Sequence, residues 1–285
     1  MGKIIAVTNQ KGGVGKTTTA VNLSALLGKL GQRVLVIDLD PQGNTTSGLG
    51  MAAGEHSIYE ALLGRCEMKD AVEETPWEGV SLAAGDIRLA SAELELVDIP
   101  RREYRLKTVL ESQRERFDFI MIDCPPSLGL LTINALAAAG SVLIPIQCEY
   151  YALEGVSSLM NTVSRVKRTV NPALEIEGIL LTMLDGRTNL GLQVVDEVKR
   201  HFRQQVYAVT IPRSVRLGEA PSHGEPIHVY DPRSTGAAAY ARLAQEFLSR
   251  NGQAVSEDDV LSAPIKKEKK NKKDKKEKKS KKAKD

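Results

Sequence analysis

The sequence predicts a doubly wound α/β fold with a mostly parallel sheet, and two observations lead to that prediction. Short, continuous apolar runs recur along the chain, as is typical of strands that are buried on both faces. Longer amphipathic stretches separate these runs, and this alternation indicates a parallel sheet with helices on both sides. Right-handed crossovers then bring the carboxyl ends of the strands to one edge, where ligands bind.

The individual elements follow from the same pattern in chain order. Strands are predicted over the apolar runs Ile4–Thr8, Val34–Asp38, Phe119–Asp123, Val142–Ile146 and Ile176–Met183. Helices are predicted over the amphipathic stretches Lys16–Leu30, Tyr104–Arg116, Leu130–Ala139, Leu153–Val170, Leu190–Phe202 and Gly236–Arg250.

Charge divides the chain into two parts. Residues 265–285 hold 13 Lys and 4 acidic residues, a net +9, which leaves 26 of the 39 basic and 32 of the 36 acidic residues elsewhere, a net −6. We expect one domain over residues 1–252, and a linker and disordered Lys-rich tail over residues 253–285, because the tail has almost no apolar surface to bury. DNA binding by the acidic body would require a local basic patch.

Several classes of protein do not fit the sequence. No uninterrupted run of about 18 apolar residues is present, and the first residues lead directly into a strand pattern, so we expect neither a membrane span nor a signal peptide. The three cysteines are far apart and have no metal-ligand spacing, which favours a structural role in a reducing cytoplasm. We expect His223 and His228 to be structural as well.

A glycine-rich loop follows the first predicted strand and precedes a helix. It reads Gln10, Lys11, Gly12, Gly13, Val14, Gly15, Lys16, Thr17, Thr18. Glycines allow backbone N–H groups to close around phosphate oxygens, and the positive end of the helix points to the same place. Lys16 is expected to reach the β- and γ-phosphates of a nucleotide, and the Thr17 hydroxyl to bind Mg²⁺.

Carboxylates follow two of the predicted strands. Asp38 ends one strand, Asp40 lies just beyond it, and Asp123 ends another. All three are expected at the edge of the sheet that carries the phosphate loop. There an Asp can orient the attacking water, and Asp123 can hold Mg²⁺ through water.

The segment from Lys11 to Thr18 resembles the deviant Walker A motif of the MinD/ParA class of P-loop ATPases. Over residues 3–250 the chain is similar to the ParA/Soj chromosome-partition ATPases, and the stretches that carry this similarity are 123–129, 147–155, 181–189, 219–224 and 230–234. The resemblance implies weak ATP hydrolysis, with ATP/ADP and Mg²⁺ as cofactors. It also implies that Lys11 reaches the nucleotide of a second subunit in an ATP-bound homodimer.

Further roles come from the resemblance alone. Asp40 orients water, Asp38 supports the Mg²⁺ shell, and Pro212 and Ser214 pack on adenine, although many relatives have Asn in place of Ser214. Arg187 and Arg216 match positions that bind non-specific DNA in the ATP state. The implied partner is a ParB-type protein whose basic N-terminal segment stimulates hydrolysis and so releases DNA. The expected location is the cytoplasm, on the nucleoid.

Three rival functions remain for comparison. A MinD-like membrane ATPase needs an amphipathic C-terminal helix, but the only apolar residues of the tail are Ile265 and Ala283, so we expect no membrane insertion. An electron-transfer protein of the nitrogenase-iron type needs paired cluster cysteines, and Cys124 lacks such a partner in sequence. The third rival is a non-catalytic nucleotide switch, and the presence of Asp40, Lys16 and Asp123 argues against a loss of hydrolysis. Two roles remain open for the tail: it binds DNA, or it only increases solubility.

Overall fold

The computed structural model describes residues 2–149 and 152–253. The predicted Lys-rich tail, and all but the first residue of the predicted linker, lie outside the described residues.

The described residues form an eight-stranded sheet in the order β3-β4-β2-β5-β1-β6-β7-β8. Its strands are β1 Lys3–Val7, β2 Val34–Asp38, β3 Val72–Glu74, β4 Val80–Ala83, β5 Phe119–Asp123, β6 Ser141–Gln147, β7 Glu175–Leu184 and β8 Val206–Pro212. Neighbouring strands are parallel except for the edge strand β3, which runs antiparallel to β4. The prediction of a mostly parallel sheet is therefore confirmed.

Helices connect the strands. They are α1 Lys16–Lys29, α2 Asn44–Gly48, α3 Ile58–Leu63, α4 Leu89–Glu95, α5 Arg105–Leu110, α6 Leu130–Ala138, α7 Ala152–Thr169, α8 Asn189–Phe202, α9 Val215–Glu219, α10 Ile227–Tyr230 and α11 Thr235–Arg250.

Side chains that alternate along the central strands separate two cores, as a doubly wound fold requires. In β1, Ile4 and Ala6 belong to the core beneath α3 to α8, whereas Ile5 and Val7 belong to the core beneath α1 and α11. All of β2 and β5 is buried. This burial explains why these strands are apolar throughout rather than alternating apolar with polar residues.

The predicted strands are present with ends that agree within one residue, but the elements near the edges of the sheet differ from the prediction. The helix predicted over Tyr104–Arg116 is wrong in length: α5 covers two turns, and 3₁₀ turns at Arg102–Tyr104 and Glu111–Gln113 flank it. Tightening into 3₁₀ geometry is common at helix ends. Strands β3, β4 and β8 were not predicted. The edge strands β3 and β8 are partly exposed, β3 and β4 are only three and four residues long, and the apolar run Val206–Val209 at the start of β8 was missed.

Candidate functional site

The loop between β1 and α1 is held in shape by the strands beside it. The Asn9 amide donates to Pro145 O at 2.8 Å, and Asn9 Oδ1 accepts from the Lys11 N–H at 3.0 Å. On the other side of the loop, the Thr182 hydroxyl donates to Val14 O at 2.8 Å. Gly13 and Gly15 have φ angles of 71° and 89°, which favour glycine because L side chains rarely adopt them. The loop is thus held by hydrogen bonds to residues of β6 and β7.

Lys16 is the first residue of α1, and it is almost completely buried. Its Nζ donates to Lys11 O at 3.2 Å, across the glycine turn. Burial lowers the pKa of Lys16, and the nearby Asp123 and Asp40 carboxylates oppose that shift. A buried ammonium at a helix N-terminus is suited to an anionic ligand that replaces the lost hydration.

Two carboxylates end adjacent strands directly opposite each other. Asp38 of β2 pairs in register with Asp123 of β5, and both are fully buried. The hydroxyls of Thr17 and Thr45 each donate to Asp123 Oδ2 at 2.7 Å. The Thr46 N–H and hydroxyl both donate to Asp38 Oδ2 at 2.8 Å. Burial first, and then the Asp123 charge, raise the pKa of Asp38 to about 7, and burial raises the pKa of Asp123 to about 6.

The chemistry of this pair fits a divalent cation. Asp123 Oδ1 is buried and has no hydrogen-bond partner among the described residues. Those residues contain no cluster of three or more His, Cys, Asp or Glu that would hold a metal by itself. Mg²⁺ is usually held by one or two carboxylates together with substrate phosphates, so this composition suits it. Thr17 is the candidate direct ligand, with Asp123 and Asp38 acting through water.

Asp40 lies beside these groups in the loop after β2. Its N–H donates to Asp38 Oδ1 at 3.2 Å, and its own Oδ1 accepts from the Gln42 N–H at 3.0 Å. The residue is 8% exposed. The first contact holds the Asp40 backbone against Asp38, and the second holds the Asp40 carboxylate in the same turn, so the side chain is preorganised.

Lys11 and the segment after β8 meet at Glu149. Lys11 Nζ lies 3.6 Å from Glu149 Oε2, and Arg213 Nη2 lies 3.3 Å from Glu149 Oε1. Pro212 ends β8 and pairs with Leu184 of β7, and Ser214 follows two residues later. The structure therefore brings Pro212 and Ser214 to the edge that carries the phosphate loop, while Lys11 pairs within its own chain.

Comparison with known proteins identifies the family of this site. A family model described as an AAA domain matches residues 2–176. The chain is 59% identical to the sporulation initiation inhibitor protein Soj of Bacillus subtilis, over 88% of this chain and 100% of that protein. It is 51% identical to the chromosome partitioning protein ParA of Myxococcus xanthus, over 88% of this chain and 89% of that protein.

The chain belongs to the ParA/Soj family of chromosome-partition ATPases.

A solved structure has a similar fold. The cobyrinic acid a,c-diamide synthase of Mycobacterium smegmatis, with bound ATP analogue and magnesium, matches with a TM-score of 0.78 at 38% identity. The match covers 90% of this chain and 100% of that chain. The resemblance to ParA/Soj proteins deduced from the motifs is thus confirmed, and this ParA/Soj chain shares its fold with a protein solved in a nucleotide-bound state.

The two arginines predicted to bind DNA lie on exposed surface and pair with carboxylates. Arg187 is 89% exposed in the turn after β7, and it pairs with Asp185 at 2.8 Å. Its guanidinium lowers the pKa of Asp185 to about 2. Arg216, on the short helix α9, pairs with Glu219 at 2.9 Å and with Asp231 at 3.4 Å. Both guanidinium groups are accessible, and each is partly compensated by a carboxylate of this ParA/Soj chain.

Among the described residues, the cysteines and histidines form no cluster that could hold a metal ion. Cys124 is fully buried, and burial raises its pKa; burial also raises the pKa of Cys148 to about 11. His223 stacks against Tyr230 with ring centroids 4.9 Å apart, and burial lowers the pKa of His228 to about 4. Within the described ranges, moreover, no helix combines the length and apolar character needed to cross a membrane.

Sequence reasoning missed the threonines that hold the two carboxylates. Thr45 and Thr46 lie at the start of α2, soon after the Asp40 turn, and they supply three of the four hydrogen bonds to Asp38 Oδ2 and Asp123 Oδ2 described above. A pair of hydroxyl residues close behind a carboxylate turn is the signal that could have revealed them. Gly85 was missed as well: a Cβ there would collide with the backbone carbonyl of Asp38, so only glycine fits.

We expect the nucleotide-free protein to lose stability as the pH rises. In the folded state the pKa of Asp38 is raised to about 7 and that of Asp123 to about 6, so this buried pair retains protons that the unfolded chain releases near the ordinary pKa of 3.8. Between these values the folded state binds more protons, so the free energy of unfolding falls with increasing pH. Thermal unfolding without nucleotide, at several pH values, should show a shallower decline for Asp38→Asn. An equally steep decline in the variant would exclude Asp38 as its cause.

Proposed function

We propose that this chain is a chromosome or plasmid partition ATPase whose ATP state forms a DNA-binding homodimer. Residues 1–252 are assigned to the ATPase domain and the following residues to a linker and tail. The observation that carries the proposal is the buried Lys16 ammonium at the start of α1, beside the in-register carboxylates Asp38 and Asp123. This arrangement combines one anion-binding and one cation-binding position at a single sheet edge.

ATP binding uses groups that are already in place. The backbone N–H groups of Gly12 to Thr18 surround the phosphates, and Lys16 replaces its hydrogen bond to Lys11 O with one to a phosphate oxygen. Mg²⁺, when bound, neutralises phosphate charge and is held by Thr17, with Asp38 and Asp123 in its outer shell. Pro212 and Ser214 contact the base.

Hydrolysis depends on Asp40. Its carboxylate accepts a hydrogen bond from the attacking water and directs it in line with the γ-phosphoryl group. Lys16 and the loop N–H groups stabilise the charge that develops on the transferring oxygens. The intrinsic rate is low, and a ParB-type protein raises it through its basic N-terminal segment.

Dimerisation links the nucleotide state of the protein to its affinity for DNA. In the ATP state Lys11 leaves Glu149 and contacts the triphosphate of the facing subunit. Two copies of the patch with Arg187 and Arg216 then act on one DNA, which raises affinity by effective concentration. Hydrolysis removes the γ-phosphate and reverses both steps. Such a cycle places the protein in the cytoplasm, on the nucleoid, without membrane insertion.

The direct test is an ATPase assay with purified full-length protein and Mg²⁺. We expect slow phosphate release that rises when DNA and the ParB-type partner are added together. The rival non-catalytic switch predicts nucleotide binding without phosphate release. The rival membrane ATPase predicts ATP-dependent sedimentation with liposomes rather than an ATP-dependent shift of DNA.

The arginines give the proposal a second test. Arg187→Ala and Arg216→Ala should each weaken DNA binding on all sequences and flatten its salt dependence by about one unit of slope for each phosphate that a subunit no longer neutralises. ATP binding should be unchanged, because both side chains pair with carboxylates outside the phosphate loop. Arg33→Ala, which removes another exposed arginine paired with Asp118, serves as the control. An unaltered salt slope in both variants would move the DNA surface elsewhere.

The tail calls for a separate experiment, because the described chain ends at the edge of the sheet opposite the phosphate loop. Asn251, near the last described residue, accepts from Lys3 Nζ at 2.7 Å and donates to Glu177 at 2.9 Å, at the edge where β1 and β7 begin. Deletion of residues 265–285 should lower DNA affinity at low salt and leave the DNA-free ATPase rate unchanged. The ATP requirement for DNA binding should persist or sharpen. Equal affinities of the two proteins at low salt would assign the tail to solubility.

A further inference from the structure

A cleft of about 380 Å³ lies beside the loop that carries Asp40. Its walls come from three segments, 41–43, 51–53 and 85–87, with Thr46 and Ser47 of α2 between them. None of these segments belongs to the phosphate loop. The volume is at the lower end of the range of ligand pockets, and it suits one or two side chains of a peptide.

Two backbone groups in the cleft walls, the N–H groups of Gln42 and Gly85, also position the catalytic carboxylates. The Gln42 N–H donates to Asp40 Oδ1 at 3.0 Å. The Gly85 N–H donates to the Thr46 hydroxyl at 2.9 Å, and that hydroxyl donates to Asp38. An occupant of the cleft would therefore press on the backbone that supports Asp38 and Asp40.

The cleft presents apolar surface to solvent. Ile87 is 68% exposed. A contiguous apolar patch, rather than a single exposed side chain, marks an interaction surface. Across the cleft lie Met51, Ala52 and Ala53, of which Ala52 is exposed. These residues offer contacts for one apolar side chain from outside.

The charge around the cleft favours a cationic occupant. No Lys or Arg occurs between Arg33 and Arg65. Glu55 follows the 51–53 wall, and Glu73 Oε1 lies 2.8 Å from where a Cβ of Gly54 would be. Neither glutamate has an ion-pair partner in the described part of the chain, whereas Asp86 is compensated by Arg88 at 2.6 Å. Two uncompensated carboxylates thus border an apolar surface.

A second groove, lined by Leu94, Val97 and Ile133, is less suited to a basic ligand. Its carboxylates are already engaged: Glu93 accepts from the Leu131 N–H at 3.1 Å, and Glu103 pairs with Arg102 at 3.4 Å. It therefore offers apolar contact without free negative charge.

We propose that the cleft beside Asp40 binds a short basic peptide segment. An apolar side chain of the segment lies between Ile87 and the 51–53 wall, and its Lys or Arg residues lie against Glu55 and Glu73. Occupancy holds the Asp40 loop in its hydrolytic position and so raises the rate. The inference rests on the proposed function, since it gives the segment that stimulates hydrolysis a binding surface.

The experiment uses full-length protein and a fluorescein-labelled peptide of the partner's N-terminal segment. Fluorescence anisotropy with ADP or ATP measures binding, and phosphate release measures stimulation. Ile87→Lys and Ala52→Lys place a cation in the cleft at exposed positions. Each should weaken peptide binding at least about tenfold and raise the half-maximal stimulating concentration in proportion, with basal turnover unchanged. Leu94→Lys, a matched change in the second groove at a side chain that is 76% exposed, should alter neither quantity.

The double variant Glu55→Gln/Glu73→Gln tests the electrostatic part. It should weaken peptide binding less than Ile87→Lys or Ala52→Lys does, and it should flatten the salt dependence of peptide affinity. Wild-type affinity in the Ile87→Lys and Ala52→Lys proteins, loss of binding in Leu94→Lys alone, or no binding to the wild type would overturn the inference. Absence of ATP hydrolysis in the wild type would instead overturn the proposed function, and anisotropy would still decide whether the cleft binds the peptide.

Discussion

Replacing Asp40 by Ala should reduce ATP turnover by at least about 100-fold, because the attacking water then loses its acceptor. ATP binding should persist, since Lys16, Thr17 and the loop backbone do not depend on the Asp40 side chain. Within the protein, the variant gives up the hydrogen bond from the Gln42 N–H, at the start of an exposed turn, so the fold should be retained. Phosphate release and sizing chromatography with ATP measure the two effects separately.

Two controls sharpen this result. Asp40→Asn keeps the shape and the hydrogen bond from Gln42 but lacks the charge, so it should also be inactive if the carboxylate orients water. Asp70→Ala removes an exposed carboxylate elsewhere and should have normal turnover. Normal turnover in Asp40→Ala would remove Asp40 from the mechanism.

Replacing Lys11 by Ala should leave nucleotide binding largely intact and weaken ATP-dependent dimerisation at least about 100-fold. Two charge-assisted hydrogen bonds are removed per dimer, each worth about 1.5–3 kcal/mol. Folding of the monomer depends little on this side chain, because its ion pair with Glu149 is 3.6 Å long and partly exposed, and such pairs contribute about 0–1 kcal/mol. Analytical ultracentrifugation with ATP and with ADP measures the dimer directly. A stable ATP dimer of Lys11→Ala would contradict the cross-subunit role.

Gly12→Val tests the same interface by steric means. A Cβ at Gly12 would meet only Pro126, at 3.9 Å, an ordinary contact, so the monomer can accept a side chain there. We therefore expect Val to block the dimer by crowding two facing loops rather than by unfolding the chain. Gly218→Val, at a position with nothing within 4 Å of a Cβ, is the matched control and should dimerise normally.

The sequence predicted strand positions best where a single physical requirement determines the residues of the strand. The central strands needed burial on both faces, and their apolar runs predicted the observed ends of β2 and β5 at Asp38 and Asp123. The edge strands β3 and β8 are partly exposed, and pairing with a neighbour rather than burial defines them. A search for strands buried on both faces therefore did not find them.

The residues of the site likewise divide into those that the sequence predicted and those that it did not. Residues of the phosphate loop and the strand-end carboxylates were predictable, because their roles depend on local order along the chain. Thr45 and Thr46 act on carboxylates of two different strands, and the ion pair of Lys11 with Glu149 joins distant parts of the chain. Such contacts depend on the order of strands in the sheet. The roles of Arg187 and Arg216 depend on a second subunit and on DNA, and they remain predictions.

The central claim is that ATP binding, rather than hydrolysis, creates the DNA-binding dimer. The most direct measurement is the DNA affinity of full-length Asp40→Ala with ATP and with ADP, at a salt concentration that suppresses binding by the tail alone. The proposed cycle predicts at least about tenfold tighter binding with ATP, together with a doubled mass in sedimentation. Equal affinity and equal mass in the two nucleotide states would contradict it.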